Sequence, residues 1–216
     1  MRGYRHIIWD WNGTLLDDMA LCVEVLNQTL RDHGLAAIDA RRYRDEFGFP
    51  VRDFYHRLGL SFDREPYEDF AVRWLAIYDR RRDTCALQAD VPLVLERLRQ
   101  AGLAQSVLSA YPQTGLDQMI ARHGLAGYFA QVLGRPNALA DGKLAQGREL
   151  VARLDLDPRE VLVVGDTTHD HEVARGLGSD ALLLSCGHQS RGRLLSTGAP
   201  VCARPGEVLD WALRAA

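Results

Sequence analysis

Four short segments carry residues whose types and spacing could act on an anionic substrate. The first is HIIWDWNGTLLDD, where Asp10 closes an apolar run and could serve as a nucleophile, a ligand for a hard cation or a helix cap. Gly13 permits a tight turn beyond it, and the backbone N–H groups of residues 11–13 could face an anion. In the second, VLSAYP, Ser109 and the Ala110 N–H could each donate to an oxyanion, although a serine after a strand also caps the next helix. The third is ALADGKLAQG, where Lys143 opens a predicted helix. A cation there opposes the helix dipole, so an anionic partner explains it better than helix stability does, a solvated surface lysine being the plainer use. The fourth, VLVVGDTTHDHEVA, sets Asp166 and Asp170 four apart past a buried run. Two carboxylates near a further strand-end Asp make an oxygen site of the kind Mg²⁺ prefers; their competing use is to cap a turn and a helix.

Lys143 is also singular by count. Lysine and arginine together number 26, and Lys143 is the one lysine. A position that keeps lysine where arginine serves everywhere else asks for a compact ammonium rather than a planar fork.

Short apolar runs that could position these groups are Arg5–Trp9, Gln105–Leu108, Gln131–Leu133, Val161–Val164 and Ala181–Leu184. Helical periodicity separates the later ones, at Val91–Ala101, Gln113–Arg122, Lys143–Leu154 and His169–Gly176, with Pro205–Arg214 as a closing helix. Buried strands alternating with helices predict an α/β protein with a doubly wound parallel sheet. All the candidate groups then fall at strand carboxyl ends, where open α/β sheets bind ligands. From about Leu16 to Thr84 no strand is predicted, only helices over Leu21–His33, Ala40–Phe47, Val51–Leu58 and Arg64–Arg82. That is too long for a βα crossover, so residues 16–84 are expected to form a helical domain inserted into a core of residues 1–15 and 85–216.

Composition excludes several classes. With 47% hydrophobic and 25% charged residues and a net charge of −3, the 216-residue chain is ordinary for a globular protein. No apolar stretch approaches the roughly 18 residues of a membrane span. The near-neutral charge gives no long-range pull toward nucleic acid or an anionic membrane. Cys22, Cys85, Cys186 and Cys202 lack metal-binding spacing and are expected to be reduced thiols. The N-terminus has no long apolar signal region, so the cytoplasm is the expected compartment.

The order DWNGT, LSA, a lone lysine and GDTTHD, with a helical insert after the first strand, resembles the haloacid dehalogenase-like hydrolase superfamily, in its phosphoglycolate phosphatase-like branch. The resemblance spans essentially the whole chain. It implies a Rossmann-like core under a helical cap and a phosphatase acting on a small phosphorylated metabolite, as a monomer or homodimer. By that similarity Asp10 would form an aspartyl-phosphate. Mg²⁺ would be held by Asp10, the carbonyl of Asn12 and Asp166, with Asp170 direct or one shell out. Ser109 and Lys143 would bind the phosphoryl oxygens, with Gly13 and Ala110 supplying backbone donors. In the cap segment FGFPVRDFY, Phe49 would exclude water and Arg52 would bind a substrate anion, unless both serve only cap packing and surface. Arg80–Arg82 is expected to be a solvated helix end, and His169 and His171 to stand outside the reacting groups.

Asn12 departs from the pattern, because phosphatases of this superfamily usually carry a second Asp there as general acid and base. An amide cannot shuttle a proton, and general acid–base catalysis is worth roughly 10²–10⁴-fold. The alternative is therefore a phosphate-binding or regulatory pseudo-phosphatase of the same fold. Intact GDTTHD argues against dehalogenation, and a sole lysine in the core excludes a Schiff base on the cap.

Overall fold

The computed structural model describes residues 3–136 and 143–214. Alternation along buried strands sets its layers. In β1 (His6–Trp9), Ile7 and Trp9 face one side of the sheet and Ile8 the other. In β6 (Val161–Gly165), Leu162 and Val164 join the first side and Val161 and Val163 the second. Strands apolar on both faces need helices on both faces. Helices α5 (Val91–Gln100), α6 (Gln113–Arg122) and α10 (Gly206–Arg214) cover the Ile7 side; α7 (Leu144–Leu154) and α8 (Thr168–Leu177) cover the Ile8 side.

With β4 (Ala104–Pro112), β5 (Gln131–Arg135), β7 (Asp180–Leu184) and β8 (Val201–Cys202), the sheet has six strands in the order β5-β4-β1-β6-β7-β8, every pair parallel. The order reverses at β1, so a crevice opens at its carboxyl end, where Asp10 follows. This is the doubly wound α/β core expected from the sequence.

Four helices follow β1: α1 (Met19–Asp32), α2 (Ala40–Glu46), α3 (Val51–Arg57) and α4 (Tyr67–Asp79). The sequence showed no strand here, yet Leu16–Asp17 (β2) pairs antiparallel with Ala86–Leu87 (β3), so both connections to the insert run through one small ribbon. Two-residue strands carry no periodicity, which is why they were missed; β8 and the five-residue α9 (Arg191–Leu195) escaped for the same reason. The Arg80–Arg82 expectation holds for Arg80 and Arg81, which are exposed, and needs correction at Arg82. The Arg82 side chain is only 11% exposed and donates to the Tyr111 hydroxyl, tying the end of the insert to β4. Cys22 and Cys85 are buried, Cys186 and Cys202 half-buried, and all four are free thiols. Among the described residues, no helix is long and apolar enough to cross a membrane.

β1 also contains a titrating group. His6 is buried, its Nε2 3.0 Å from Ser106 Oγ, and burial lowers its pKa from 6.5 to about 4. The unfolded chain therefore binds more protons between those values, and His6 contributes stability above pH 6.5 that is lost as pH falls through about 4. The two-and-a-half-unit gap corresponds to about 3 kcal/mol. Denaturant titrations between pH 7 and 4 should show this loss in the parent and a flatter profile in His6→Asn; parallel profiles would refute it.

Candidate active site

Each candidate group reaches the site by a local device. Gly13 has φ +74, and a Cβ there would overlap the Asp166 carboxylate and the His188 ring, so glycine is needed for conformation and for space. Gly165 ends β6 against Asp170, whose side chain a Cβ would also overlap. Asp170 Oδ2 accepts from Thr167 N at 2.9 Å and Thr167 Oγ1 at 2.7 Å, closing the first turn of α8. Its other oxygen faces Lys143 Nζ at 2.7 Å. The residue is thus both a cap and a site carboxylate.

Lys143 stands at the N-terminus of α7 and is 3% exposed. Its ammonium contacts Asp10 Oδ1, pairs with Asp170 and donates to Leu108 O at 3.0 Å. Asp166 Oδ1 accepts from Thr14 Oγ1 at 3.0 Å, and its Oδ2 from the His188 backbone N–H. Asp10, Asp166 and Asp170 each offer an oxygen within 4.8 Å of the others.

Two of these buried carboxylates, Asp10 and Asp170, share the Lys143 ammonium, and Asp166 faces His188 instead. Burial pushes Asp10 above the usual carboxyl range; Lys143 pulls against this, while Asp170 and Asp166 add to it. Asp166 is raised by burial, opposed by His188 and reinforced by Asp170. Despite burial, Lys143 and the Thr167 bonds hold Asp170 low. Excess negative charge on oxygen donors alone is the setting a hard dication fits. The three carboxylates could hold one.

Beside them lies a network absent from the sequence reading. Asn12 Nδ2 donates to Asp18 Oδ2 at 2.8 Å and to the Tyr78 hydroxyl at 3.0 Å, and that hydroxyl donates to Asp18 Oδ2 at 2.8 Å. Asp18 Oδ1 pairs with His188 Nε2 at 3.3 Å, and His188 Nδ1 lies 3.0 Å from the Tyr43 hydroxyl. Against burial, Asp18 raises His188 to about 9. Asp18, His188 and Cys22 also offer donor atoms within 4.8 Å of one another. His188 follows β7, so the same strand-end rule that found Asp166 would have flagged it.

These groups open on a cavity of about 160 Å³ shared by strand ends and insert, lined by Asp10, Asn12, Ser109, Ala110, Lys143, Asp166 and Asp170 on the core side. Ser109 Oγ accepts from Tyr111 N at 3.1 Å, which leaves its hydroxyl proton available. Phe49 lies over the site, stacked on His169 with ring centroids 4.7 Å apart. Two sequence expectations fail on geometry. The Gly13 N–H is taken by Leu16 O and Asp18 Oδ1, both at 2.9 Å, so it does not face an anion. Arg52 is exposed on α3, its guanidinium 5.8 Å from the Phe62 ring centroid and 5.7 Å from that of Tyr67, and it does not line the cavity.

Residues 7–184 match the haloacid dehalogenase-like hydrolase family. The chain belongs to this family. It is 32% identical to a phosphoglycolate phosphatase of Synechococcus elongatus, over 88% of each chain. It is 28% identical to an N-acetylmuramic acid 6-phosphate phosphatase of Pseudomonas aeruginosa, over 85% of this chain and 83% of the other. A haloacid dehalogenase-like protein from Streptococcus pneumoniae superposes with a TM-score of 0.82 at 21% identity, covering 98% and 99% of the two chains, and shares the fold. This hydrolase is a phosphatase of the phosphoglycolate phosphatase-like branch.

The space around Lys143 in this hydrolase is expected to favour lysine over arginine. A guanidinium in the space between Asp10 and Asp170 cannot present the same point charge. Lys143→Arg is expected to lower kcat roughly 10²–10³-fold. Lys143→Met leaves buried carboxylates without their counterion, at a cost of about 3–5 kcal/mol in metal-free denaturant unfolding. Wild-type turnover in Lys143→Arg would refute the requirement for an ammonium.

Proposed function

We propose that this phosphatase is a Mg²⁺-dependent phosphomonoester hydrolase working through an aspartyl-phosphate on Asp10, with residues 16–84 acting as a cap over the site. The observation that carries this reading is Lys143 bridging Asp10 and Asp170 in the cavity between the strand ends and the insert, with Asp166 alongside. An Asp10 oxygen attacks phosphorus and the ester P–O bond breaks, the electron pair leaving with the alcohol oxygen, which takes a proton from water. Lys143, Ser109 and the Ala110 N–H hold the phosphoryl oxygens as charge develops. Water then attacks the phosphoryl group, releasing phosphate and regenerating Asp10. Asp10, Asp166 and the Asn12 carbonyl would hold Mg²⁺, with Asp170 beside it, and the ion supplies the neutralisation that lets a carboxylate approach a phosphate. Asn12 has no proton to give, and its amide N–H groups are engaged by Asp18 and Tyr78.

The relatives named for phosphoglycolate and N-acetylmuramic acid 6-phosphate support a small phosphorylated metabolite as the substrate. Phosphate release from p-nitrophenyl phosphate tests the reading, because its leaving group hardly needs an acid. Release is expected with Mg²⁺ and not with a chelator. No release from any aryl or alkyl phosphate would overturn it in favour of a phosphate-binding pseudo-phosphatase.

A further inference from the structure

The wall of the cavity facing the phosphoryl site is built by the insert from rings and aliphatic groups: Phe47, Phe49, Phe54, Trp74, Leu75 and Tyr78 among them. The basic side chains lining it among the described residues are Lys143, His169 and His188. Lys143 is committed to Asp10 and Asp170, and His188 to Asp18; His169 Nδ1 lies 3.2 Å from Glu172, and its buried Nε2 has no partner. Arg82, which nears the cavity, is bound to the Tyr111 hydroxyl, and Arg193 to Phe47 O. Residues 137–142, NALADG, contain no lysine, arginine or histidine. A substrate carboxylate entering this chamber would meet Asp10, Asp18, Asp166 and Asp170, with no arginine on the wall and one imidazole, His169, not held by any of the four. Burying such a charge among carboxylates is unfavourable, whereas an uncharged ring gains from the same wall.

Leaving-group chemistry narrows the class further. Asn12 leaves the site without the usual proton donor to the departing oxygen. A phenol, with a pKa of about 10, departs as its anion far more readily than an aliphatic alcohol, whose pKa is near the 15.7 or so of water. The apolar wall and the missing acid therefore select the same class. We propose that this site serves aryl phosphate monoesters, not carboxylate-bearing alkyl phosphates such as phosphoglycolate. The inference rests on the phosphomonoester hydrolase reading above. Asp10 forms the bond to phosphorus, the P–O(aryl) bond breaks, and the phenolate leaves with the electron pair and takes its proton from water.

Three esters separate recognition from leaving-group chemistry: phenyl phosphate, benzyl phosphate and 2-phosphoglycolate, assayed with Mg²⁺. The two ring esters should share a similar KM, with that of phosphoglycolate about tenfold higher or more. Phenyl phosphate should exceed benzyl phosphate in kcat by about 10²-fold or more, because only the latter needs an acid. Quenching of tryptophan fluorescence by phenylphosphonate, and not by phosphonoacetate, gives a binding readout independent of turnover. A KM for phosphoglycolate at or below those of the ring esters would overturn this substrate class and leave the hydrolase reading standing. Equal kcat for phenyl and benzyl phosphate would overturn the leaving-group argument. No turnover of any of the three while p-nitrophenyl phosphate is still hydrolysed would overturn this inference alone; failure of p-nitrophenyl phosphate as well would remove the hydrolase reading with it.

Discussion

Asp10→Asn is expected to reduce phosphate release from p-nitrophenyl phosphate by roughly 10⁴-fold or more, the scale seen when a covalent nucleophile is removed. The same change should raise the melting temperature of the metal-free protein. Burial and the neighbouring Asp170 and Asp166 push the Asp10 carboxyl above its ordinary range in spite of Lys143. The folded state therefore holds a proton that the unfolded chain releases. Asp10 loses stability as pH rises from near 4, the unfolded value, through its raised folded value. Asparagine removes that penalty and leaves Lys143 paired with Asp170. If Asp10 is the nucleophile proposed above, a setting that disfavours its charge is stability traded for function. Melting curves from pH 5 to 9 in chelator should show the gain widening with pH. A variant that is inactive and also less stable at every pH would indicate a structural role for Asp10 instead.

Much of this site was legible because short-range rules place it. Apolar runs of three to five residues, most of them separated by helical periodicity, located the parallel strands other than β8 to within a few residues, and strand carboxyl ends then collected Asp10, Ser109, Asp166 and Asp170. Lys143 was legible by composition, as the one lysine among 26 cationic side chains. What escaped depends on contacts across the chain. Asp18 looks like one more linker carboxylate until α4 brings Tyr78 to it over sixty residues, and His188 reaches it from beyond β7. Arg52 failed as an anion contact because a single helical turn decides which way a side chain points. The periodicity of Val51–Leu58 left open which face α3 would turn toward the cavity, and the structure turns Val51, Phe54 and Tyr55 there. Arg82 went the other way, a charge assigned to solvent that packs against Tyr111.

The network around Asn12 changes what restoring the missing acid requires. A carboxyl at position 12 would stand where the Asn12 amide now donates to Asp18 Oδ2 at 2.8 Å, against a buried carboxylate. Two carboxylates so placed cannot both ionise, so Asn12→Asp alone yields a pair sharing one proton and a less stable protein. Exchanging the two groups, Asn12→Asp with Asp18→Asn, keeps the count of carboxyls and an amide donor between them while moving the titratable group beside the leaving oxygen. Tyr78, which donates to Asp18 now, could donate to the new carboxylate instead. The double variant is expected to gain roughly 10²–10⁴-fold in kcat on benzyl phosphate, the usual worth of a positioned acid, with little change on p-nitrophenyl phosphate. The single variant should gain less and melt lower. Equal gains on both esters would show that the acid was not what position 12 lacked. A single variant matching the double would show that Asp18 does not govern it.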